Sequence, residues 1–255
     1  MENKIIGNVK LNNATIDFKG ENNILYCKGD ITLENCKLRF TGSNSLIYLD
    51  ENKYPFSINI RVGNDSVFYL GKNCYLNRTS NAYATERKNI IIGNECLLSF
   101  GCYLRTADPH IIYDANTKKR INFSKSILVG DHVWIGQNCL ILKNNKIGSG
   151  SIIGGNSVLS GKTIKSNSLY AGNPAKPVRE NVFYASPMST HDYDEVKELE
   201  SENFDNDNYI YSKDVNTLDM NKIDNDLQQL KTAQEKIEYL NLYVSDNQQK
   251  NRFYV

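Results

Sequence analysis

The clearest pattern of apolar positions is an aliphatic residue at every sixth position between Val129 and Leu159. The six residues keep one register without a slip: Val129, Ile135, Ile141, Ile147, Ile153 and Leu159. An α-helix repeats about every 3.6 residues and a strand every second residue, so neither explains this period. Glycine follows four of the six, and glycine lets the backbone turn tightly beside an inward side chain. The pattern therefore predicts a β-solenoid in which three short hexads form each coil.

A looser repeat precedes this stretch. Segments with the form Gly, three polar residues, two apolar residues and Tyr recur at intervals of 22 and 21 residues, at 20–26, 42–48 and 63–69. One coil of about 18 residues with a few inserted ones would give such a spacing. We therefore expect irregular N-terminal coils over 1–60 and a hexapeptide-repeat domain over 61–182.

The remaining part of the chain, 183–255, lacks the hexad repeat and differs in composition. Residues 192–207 are strongly acidic, which indicates a linker or a loosely packed helix. From Leu218 onwards, apolar residues recur at spacings of three, four, five and seven. This spacing predicts an amphipathic helix over about 217–244.

Two polar excursions interrupt the repeat, at about 77–89 and 107–126. Loops that leave a rigid scaffold often carry function, so the second excursion, which contains Asp108 and His110, is the first candidate. Residues 170–179 hold two prolines and one glycine. Proline cannot donate to a sheet ladder, so this segment is expected to end the solenoid.

The net charge of +1 is the sum of a basic N-terminal part and an acidic C-terminal part. Residues 1–179 hold 23 Lys and Arg against 13 Asp and Glu, whereas 180–255 hold 7 against 16. A basic body favours anionic ligands such as phosphates or acidic sugars. No recognition helix or arginine-aromatic interleaving supports nucleic acid as the partner.

The sequence also indicates the cellular compartment of the protein. No apolar run reaches the length of about 18 residues that crosses a membrane, and the N-terminal residues lack the profile of a secretory signal. The six cysteines form no CxxC pair, and three of them occupy small-residue positions of hexads. We expect small buried thiols in a cytoplasmic, reducing environment.

The chain has three histidines, and their spacing does not suggest a metal site. They lie 22 and then 59 residues apart, and no close pair could hold zinc, so no metal is expected. His110 belongs to the second excursion, His132 is expected on the outer face of a hexad, and His191 belongs to the acidic tail.

The single tryptophan, Trp134, directly precedes Ile135 and Gly136 of the repeat. Because a thin solenoid has no room for an indole inside, Trp134 is expected to face outward. It could pack beneath a loop, or it could form a wall against a ligand or a neighbouring chain. The sequence leaves both interpretations open.

Taken in order, these motifs resemble one known superfamily. The hexads, the His-bearing loop, the Gly-Asp-His-Val-Trp-Ile-Gly stretch at 130–136 and the closing Tyr-Ala-Gly-Asn-Pro-Ala-Lys at 170–176 resemble the hexapeptide-repeat acyltransferases. Within them, the chain is similar to galactoside and maltose acetyltransferases and to capsular or lipopolysaccharide O-acetyltransferases. The resemblance implies a mainly β fold, a left-handed parallel β-helix, and a homotrimer with active sites between neighbouring subunits.

The resemblance also implies roles for individual residues. The family's catalytic base is a His in this excursion, 24 residues before the Trp, and His110 and Trp134 reproduce that spacing. Asp108 could orient the imidazole or could cap the loop. Acetyl-CoA is the implied acetyl donor, and its track along the last coils would use Trp134, Gln137, Gly155, Ser160, Lys162, Lys176 and Arg179.

The expected function is therefore O-acetylation of a carbohydrate: a capsular, lipopolysaccharide or sialic-acid-containing glycan. One alternative is an N-acetyltransferase acting on a nucleotide amino sugar, although such enzymes usually carry a nucleotide-binding domain where 1–60 resembles further coils. An alternative of another class is a non-catalytic β-helix scaffold.

Overall fold

The computed structural model describes residues 2–186 and 202–255. Strands from successive coils stack on one another in parallel and in register, and they form three sheets. The predicted mainly β solenoid with a C-terminal helical part is confirmed. His191 and most of the acidic stretch 192–207 lie outside the described residues.

The first sheet contains eight strands and runs the whole length of the solenoid. Its longest members are the two at the N-terminal end, where the coils are wider. In order, it consists of β1 (Lys4–Asn12), β3 (Ile24–Glu34), β5 (Leu46–Leu49), β7 (Val67–Leu70), β10 (Ile90–Ile92), β13 (Ile127–Val129), β16 (Asn145–Ile147) and β19 (Thr163–Ile164).

The second sheet contains seven parallel strands. Inward and outward residues alternate along each strand, as β6 shows with three buried and two half-buried positions. The strands are β2 (Thr15–Phe18), β4 (Lys37–Phe40), β6 (Ile58–Val62), β9 (Ser80–Ala84), β12 (Tyr103–Arg105), β15 (Leu140–Ile141) and β18 (Val158–Leu159).

The third sheet has its first separate strand at Tyr75–Leu76, because in the two N-terminal coils β1 and β3 continue past a register shift and pair on this side through their second halves. It consists of β8 (Tyr75–Leu76), β11 (Leu97–Leu98), β14 (Trp134–Ile135), β17 (Ile152–Ile153), β20 (Ser168–Ala171) and β21 (Lys176–Glu180). β21 pairs antiparallel with β20, so the proline-containing segment ends the parallel stack, as predicted.

Aliphatic side chains fill the interior of the coils. The six residues of the hexad register, from Val129 to Leu159, are all 0–1% exposed. At the corners, asparagines such as Asn138 and Asn156 adopt the left-handed conformation, with φ of 56° and 58°. Asn tolerates this region better than most residues, which explains why the corners of the solenoid are rich in it.

The cysteines behave as predicted, since all six are free and buried. The Sγ atoms of Cys74, Cys96, Cys102 and Cys139 approach carbonyl oxygens of glycines in the next coil at 3.2 Å. Burial raises the pKa of the Cys102 thiol to about 12, so this thiol stays protonated at neutral pH.

The C-terminal part contains two short helices where the periodicity predicted one long helix. They are α1 (Met220–Gln229) and α2 (Ala233–Leu240), followed by one π-helical turn, Asn241–Ser245. The break has a local cause, because Thr232 and Glu235 form a reciprocal capping box that starts α2.

These helices cover the outer face of the first sheet. Apolar residues of the helices pack with outward apolar residues of the strands in a second core, whose largest members include Leu46, Tyr48, Tyr69, Leu227, Leu240 and Phe253. At one end, the buried Lys236 of α2 donates to the carbonyl oxygens of Asn44 (2.8 Å) and Asp65 (3.0 Å). The helical part is therefore integrated into the solenoid.

A buried ion pair holds the chain's last residues against the middle of the solenoid. Arg252 donates from Nε to Oδ2 of Asp131 at 2.8 Å and from Nη2 to Oδ1 at 2.7 Å. Beyond it, Phe253 and Val255 accept backbone hydrogen bonds from Ser149 and Ser166 at 3.1 and 3.0 Å. A bidentate pair of this kind is both strong and geometrically specific.

We predict that Arg252→Met lowers the free energy of unfolding by about 3–5 kcal/mol, because it leaves the Asp131 carboxylate buried without its cation. Lys222→Met is the matched control, since Lys222 forms an exposed pair with Asp226 on α1. Exposed pairs of this kind contribute little to stability, so the control should unfold close to the wild-type midpoint. Urea denaturation measures both changes, and equal midpoints for the two variants would contradict the role of Arg252.

Candidate functional site

The second excursion leaves the solenoid at the corner between the second and first sheets, after β12 and before β13. Its two arms are joined by Asn122, which is 8% exposed. The Asn122 side-chain amide donates to the carbonyl oxygen of His110 at 2.8 Å and to Oδ2 of Asp108 at 2.9 Å. The imidazole-bearing residue is thus exposed on a loop whose backbone is fixed.

Asp108 is held by a cation of the next coil. Lys143 donates to Oδ2 of Asp108 at 2.6 Å, and this hydrogen bond lowers the pKa of the carboxyl group. Among the described residues, no hydrogen bond joins the carboxylate to the His110 ring. Of the two roles left open by the sequence, the contacts support fixation of the loop.

The prediction of a first excursion at 77–89 was wrong, because Ser80–Ala84 form β9 of the second sheet in register with its neighbours. The His110 loop contacts the turn that follows β9. Arg120 donates from Nη2 to both carboxylate oxygens of Glu86, at 2.9 and 2.8 Å, and Ser124 donates to the same carboxylate at 2.8 Å. The hydrogen bond from Arg120 lowers the pKa of Glu86. Several apolar side chains of the loop remain half exposed: Ile111, Ile112, Tyr113, Ile121 and Phe123.

Trp134 lies on the outer face of the third sheet, between Leu97 and Ile152 of the adjacent coils. Its side chain is 38% exposed, so the predicted outward orientation is correct. Its Nε1 atom donates to Oγ of Ser99 at 3.4 Å, and its ring centroid lies 5.7 Å from that of Tyr184. The residue therefore combines a packing contact with an open face.

Tyr184 forms part of a stack that covers His132. The imidazole of His132 lies between the rings of Tyr184 and Tyr209, with both centroid distances at 4.1 Å. His132, which was expected on the outer face, is fully buried because these tail residues cover it. Burial lowers its pKa, and its Nε2 lies 2.8 Å from the carbonyl oxygen of Tyr184, so this nitrogen is assigned as the donor.

Two of the proposed coenzyme positions lie at the corner between the third and second sheets. Gln137 follows β14, Gly155 follows β17, and both are exposed. A Cβ added to Gly155 would lie 3.2 Å from Cγ of Gln137, so the glycine keeps this corner shallow. A thin ligand chain could lie close to the backbone here.

The other proposed positions are distributed over two places. Ser160 and Lys162 lie between β18 and β19, at the same corner as the His110 loop, and Ser160 is exposed. Lys176 and Arg179 are exposed on β21, at the end of the third sheet. Within the described ranges, none of Lys162, Lys176 and Arg179 forms an ion pair.

Within a single chain, His110 and Trp134 lie on different faces of the solenoid. Trp134 lies on the third sheet, whereas His110 lies at the far edge of the second sheet, so the whole second sheet separates them.

Across residues 2–186 and 202–255, no three His, Cys, Asp or Glu side chains cluster as a metal site. None of the described helices is both long and apolar enough to span a bilayer.

The stacked hexads, the His-bearing excursion and the short closing strand are similar to the fold of left-handed β-helix acetyltransferases with hexapeptide repeats. The fold and the resemblance expected from the sequence are thereby confirmed. No model of a known protein family matches the sequence.

Individual relatives are more informative. The chain is 37% identical over 132 residues to a polysialic acid O-acetyltransferase of Escherichia coli O1:K1 / APEC, across 50% of this chain and 43% of the relative. It is 48% identical over 103 residues to a polysialic acid O-acetyltransferase of Neisseria meningitidis, across 40% of this chain and 48% of the relative. The matches thus span less than half the length of these relatives.

Two solved structures match a larger share of the chain. The polySia-specific acetyltransferase NeuO superimposes with a TM-score of 0.66 and 28% identity, over 78% of this chain and 92% of that one. The polysialic acid O-acetyltransferase OatWY superimposes with a TM-score of 0.57 and 26% identity, over 75% and 94%.

Two residues of this region, Asn122 and Tyr184, were not predicted from the sequence. Asn122 has no motif around it, and its function depends on two partners that lie 12 and 14 residues away. Tyr184 acts through stacking on a ring 52 residues earlier in the chain. Neither contact has a local pattern by which the sequence could show it.

We predict that Tyr184→Ala exposes the Trp134 indole. Because the chain contains one tryptophan, its fluorescence reports this position directly. The emission should move to longer wavelength and become easier to quench with acrylamide. Tyr243→Ala, at a tyrosine that is 47% exposed on the π-helical turn, should leave the emission unchanged. An unshifted spectrum for Tyr184→Ala would show that Tyr184 does not cover the indole.

Proposed function

We propose that this protein transfers an acetyl group from acetyl-CoA to a hydroxyl group of a sialic-acid-containing glycan. The observation that carries the proposal is the similarity, in sequence and in fold, to polysialic acid O-acetyltransferases. The basic balance of residues 1–179 supports an acidic acceptor. Free buried thiols support a cytoplasmic site of action.

His110 is proposed as the general base. An imidazole can accept a proton near neutral pH, and this one is exposed on a loop with a fixed backbone. His110 takes the proton of the sugar hydroxyl while the oxygen attacks the thioester carbon. The C–O bond forms, the C–S bond then breaks, and the proton passes to the departing sulfur. The steps require no covalent acetyl-enzyme.

Asp108 is proposed to act indirectly. Its pair with Lys143 fixes the loop on the next coil, and Asn122 transmits this constraint to the His110 backbone. Because a misplacement of about 1 Å at a reacting group can cost about a hundredfold in rate, this fixation is relevant to catalysis.

The coenzyme is proposed to lie along the last coils. The shallow corner at Gln137 and Gly155 suits its thin pantetheine arm, and Trp134 offers a flat wall beside it. Ser160 and Lys162 would face the thioester end from the corner that carries the His110 loop. Lys176 and Arg179, exposed on β21, would attract the phosphates.

A homotrimer is proposed because one chain separates the two central residues. His110 of one copy would meet Trp134 of the neighbouring copy, so each site would lie between subunits. The half-exposed apolar side chains of the excursion support such a contact, because a cluster of this kind is unusual on a free surface.

We predict that His110→Ala lowers kcat by about 10²–10⁴-fold, the usual contribution of a positioned general base. Binding of CoA, followed by Trp134 fluorescence, should be unchanged. Asn116→Ala is the matched control, because Asn116 is exposed on the same loop. Acetylation of polysialic acid at the wild-type rate by His110→Ala would exclude His110 as the base.

We predict that two weakened variants regain activity when mixed during assembly. In a trimer with shared sites, a mixture of His110→Ala and Trp134→Ala chains would build about a quarter of the sites from intact residues. The assay is acetyl transfer after joint refolding or co-expression, with each variant alone as control. If the mixture is no more active than the separate variants, the sites do not lie between subunits.

A further inference from the structure

The outer face of the second sheet carries a column of basic and aromatic residues. Arg39 lies in register with Arg61, Arg61 with Tyr83, and Tyr83 with Arg105. Lys37 and Tyr103 lie beside the column on β4 and β12. Adjacent strands are about 4.8 Å apart, so the column from Arg39 to Arg105 is about 15 Å long. We call these six residues the basic ladder.

The basic ladder forms no close ion pair. Like charges that face each other on neighbouring strands are destabilising, and Arg39 and Arg61 do so directly. In the described part of the chain, no carboxylate lies within 4.0 Å of a nitrogen of Lys37, Arg39, Arg61 or Arg105. Asp17, on the next rung beyond Arg39, forms no such pair either. This arrangement is costly for folding alone.

The arginines of the ladder are held in place and keep free donors. The guanidinium of Arg61 lies 4.9 Å from the ring centroid of Tyr83, and that of Arg105 lies 5.2 Å from that of Tyr103. The Nε atoms of Arg61 and Arg105 are buried and have no hydrogen-bond partner in the protein. A buried donor without an acceptor is unfavourable, so the packing of these two arginines is not optimised for folding alone.

A groove accompanies the N-terminal half of the ladder. Its volume is about 360 Å³, and its polar lining combines Lys37, Arg39 and Arg61 with the amides of Asn13, Asn35 and Asn59. This volume lies in the range of small-molecule sites. At its other end the ladder reaches Arg105, the last residue of β12, from which the His110 loop departs.

We propose that the basic ladder binds an extended acidic polysaccharide and leads it to the His110 loop. The inference rests on the proposed function, since it concerns the acceptor of the same reaction. Carboxylates repeated along a glycan match a column of arginines, hydroxyls match the asparagine amides, and tyrosine rings offer flat surfaces to sugar rings. The ladder contacts acceptor residues distant from the reacting one, and long acceptors are therefore favoured over short ones.

The test uses the full-length protein with Arg39→Gln and Arg61→Gln combined. Lys10→Gln with Lys213→Gln is the control, because it removes the same charge from exposed residues away from the second sheet. The KM for long polysialic acid should rise at least tenfold in the ladder variant, with kcat unchanged. The KM for a sialic acid trimer should be unchanged, and so should both constants in the control.

Direct binding of the polymer gives a readout that does not depend on acetyl transfer. Wild-type affinity should fall with added salt, and the ladder variant should show a weaker salt dependence, because it neutralises fewer anionic groups. Lys37→Gln, at the exposed rim of the groove, supplies a milder variant should the double variant unfold.

Three outcomes would overturn the inference. The first is a ladder variant with wild-type KM and affinity for the polymer, and the second is an equal loss in the control. The third is tighter binding of the wild type to duplex DNA than to polysialic acid. Failure of the proposed function looks different: the wild type would bind the polymer through the ladder and transfer no acetyl group to it.

Discussion

The parallel, in-register stacking of coils is the constraint on which the rest of this structure depends. Each residue lies directly above its equivalent in the preceding coil, so a residue type that recurs in the sequence becomes a column in space. The column of aliphatic residues fills the interior, and the column of asparagines forms the corners. The same rule places Arg39, Arg61 and Arg105 on one line.

Stacking also gives each face of the solenoid a separate role. The C-terminal helices cover the first sheet, where Arg252 and Asp131 form the buried ion pair. The third sheet presents Trp134, with Tyr184 packed beside it. The second sheet stays open and basic, and the His110 loop leaves from its edge. A site that needs both His110 and Trp134 must therefore combine two faces, which two neighbouring copies can do.

The sequence predicted those features that depend on local periodicity. The hexads define the solenoid, the small-residue positions explain the buried thiols, and the size of the indole explains the outward orientation of Trp134. The prediction of one continuous helix was wrong, although the capping box of Thr232 and Glu235, which starts the second helix, is visible in the sequence. The periodicity of apolar residues alone carried that prediction, and it is insensitive to where a helix starts.

Other features lay beyond local pattern. The Arg252–Asp131 pair joins residues 121 positions apart, and the coverage of His132 depends on a tail that folds back over it. The basic ladder could be predicted from the sequence in part. Its members follow one another at intervals of 22 residues: Arg39, Arg61, Tyr83 and Arg105. The period is legible in the sequence, but only the strand register shows that these side chains share a face.

The identity of the acceptor tests the account most directly. The wild-type protein can be incubated with acetyl-CoA and, in parallel, with polysialic acid, maltose and a nucleotide amino sugar, and each product examined by mass spectrometry before and after mild alkaline treatment. We expect acetylation of polysialic acid in an alkali-labile form, as an ester on a hydroxyl group requires. Alkali-stable acetylation of the amino sugar, or no transfer to any acceptor by the folded protein, would contradict the account.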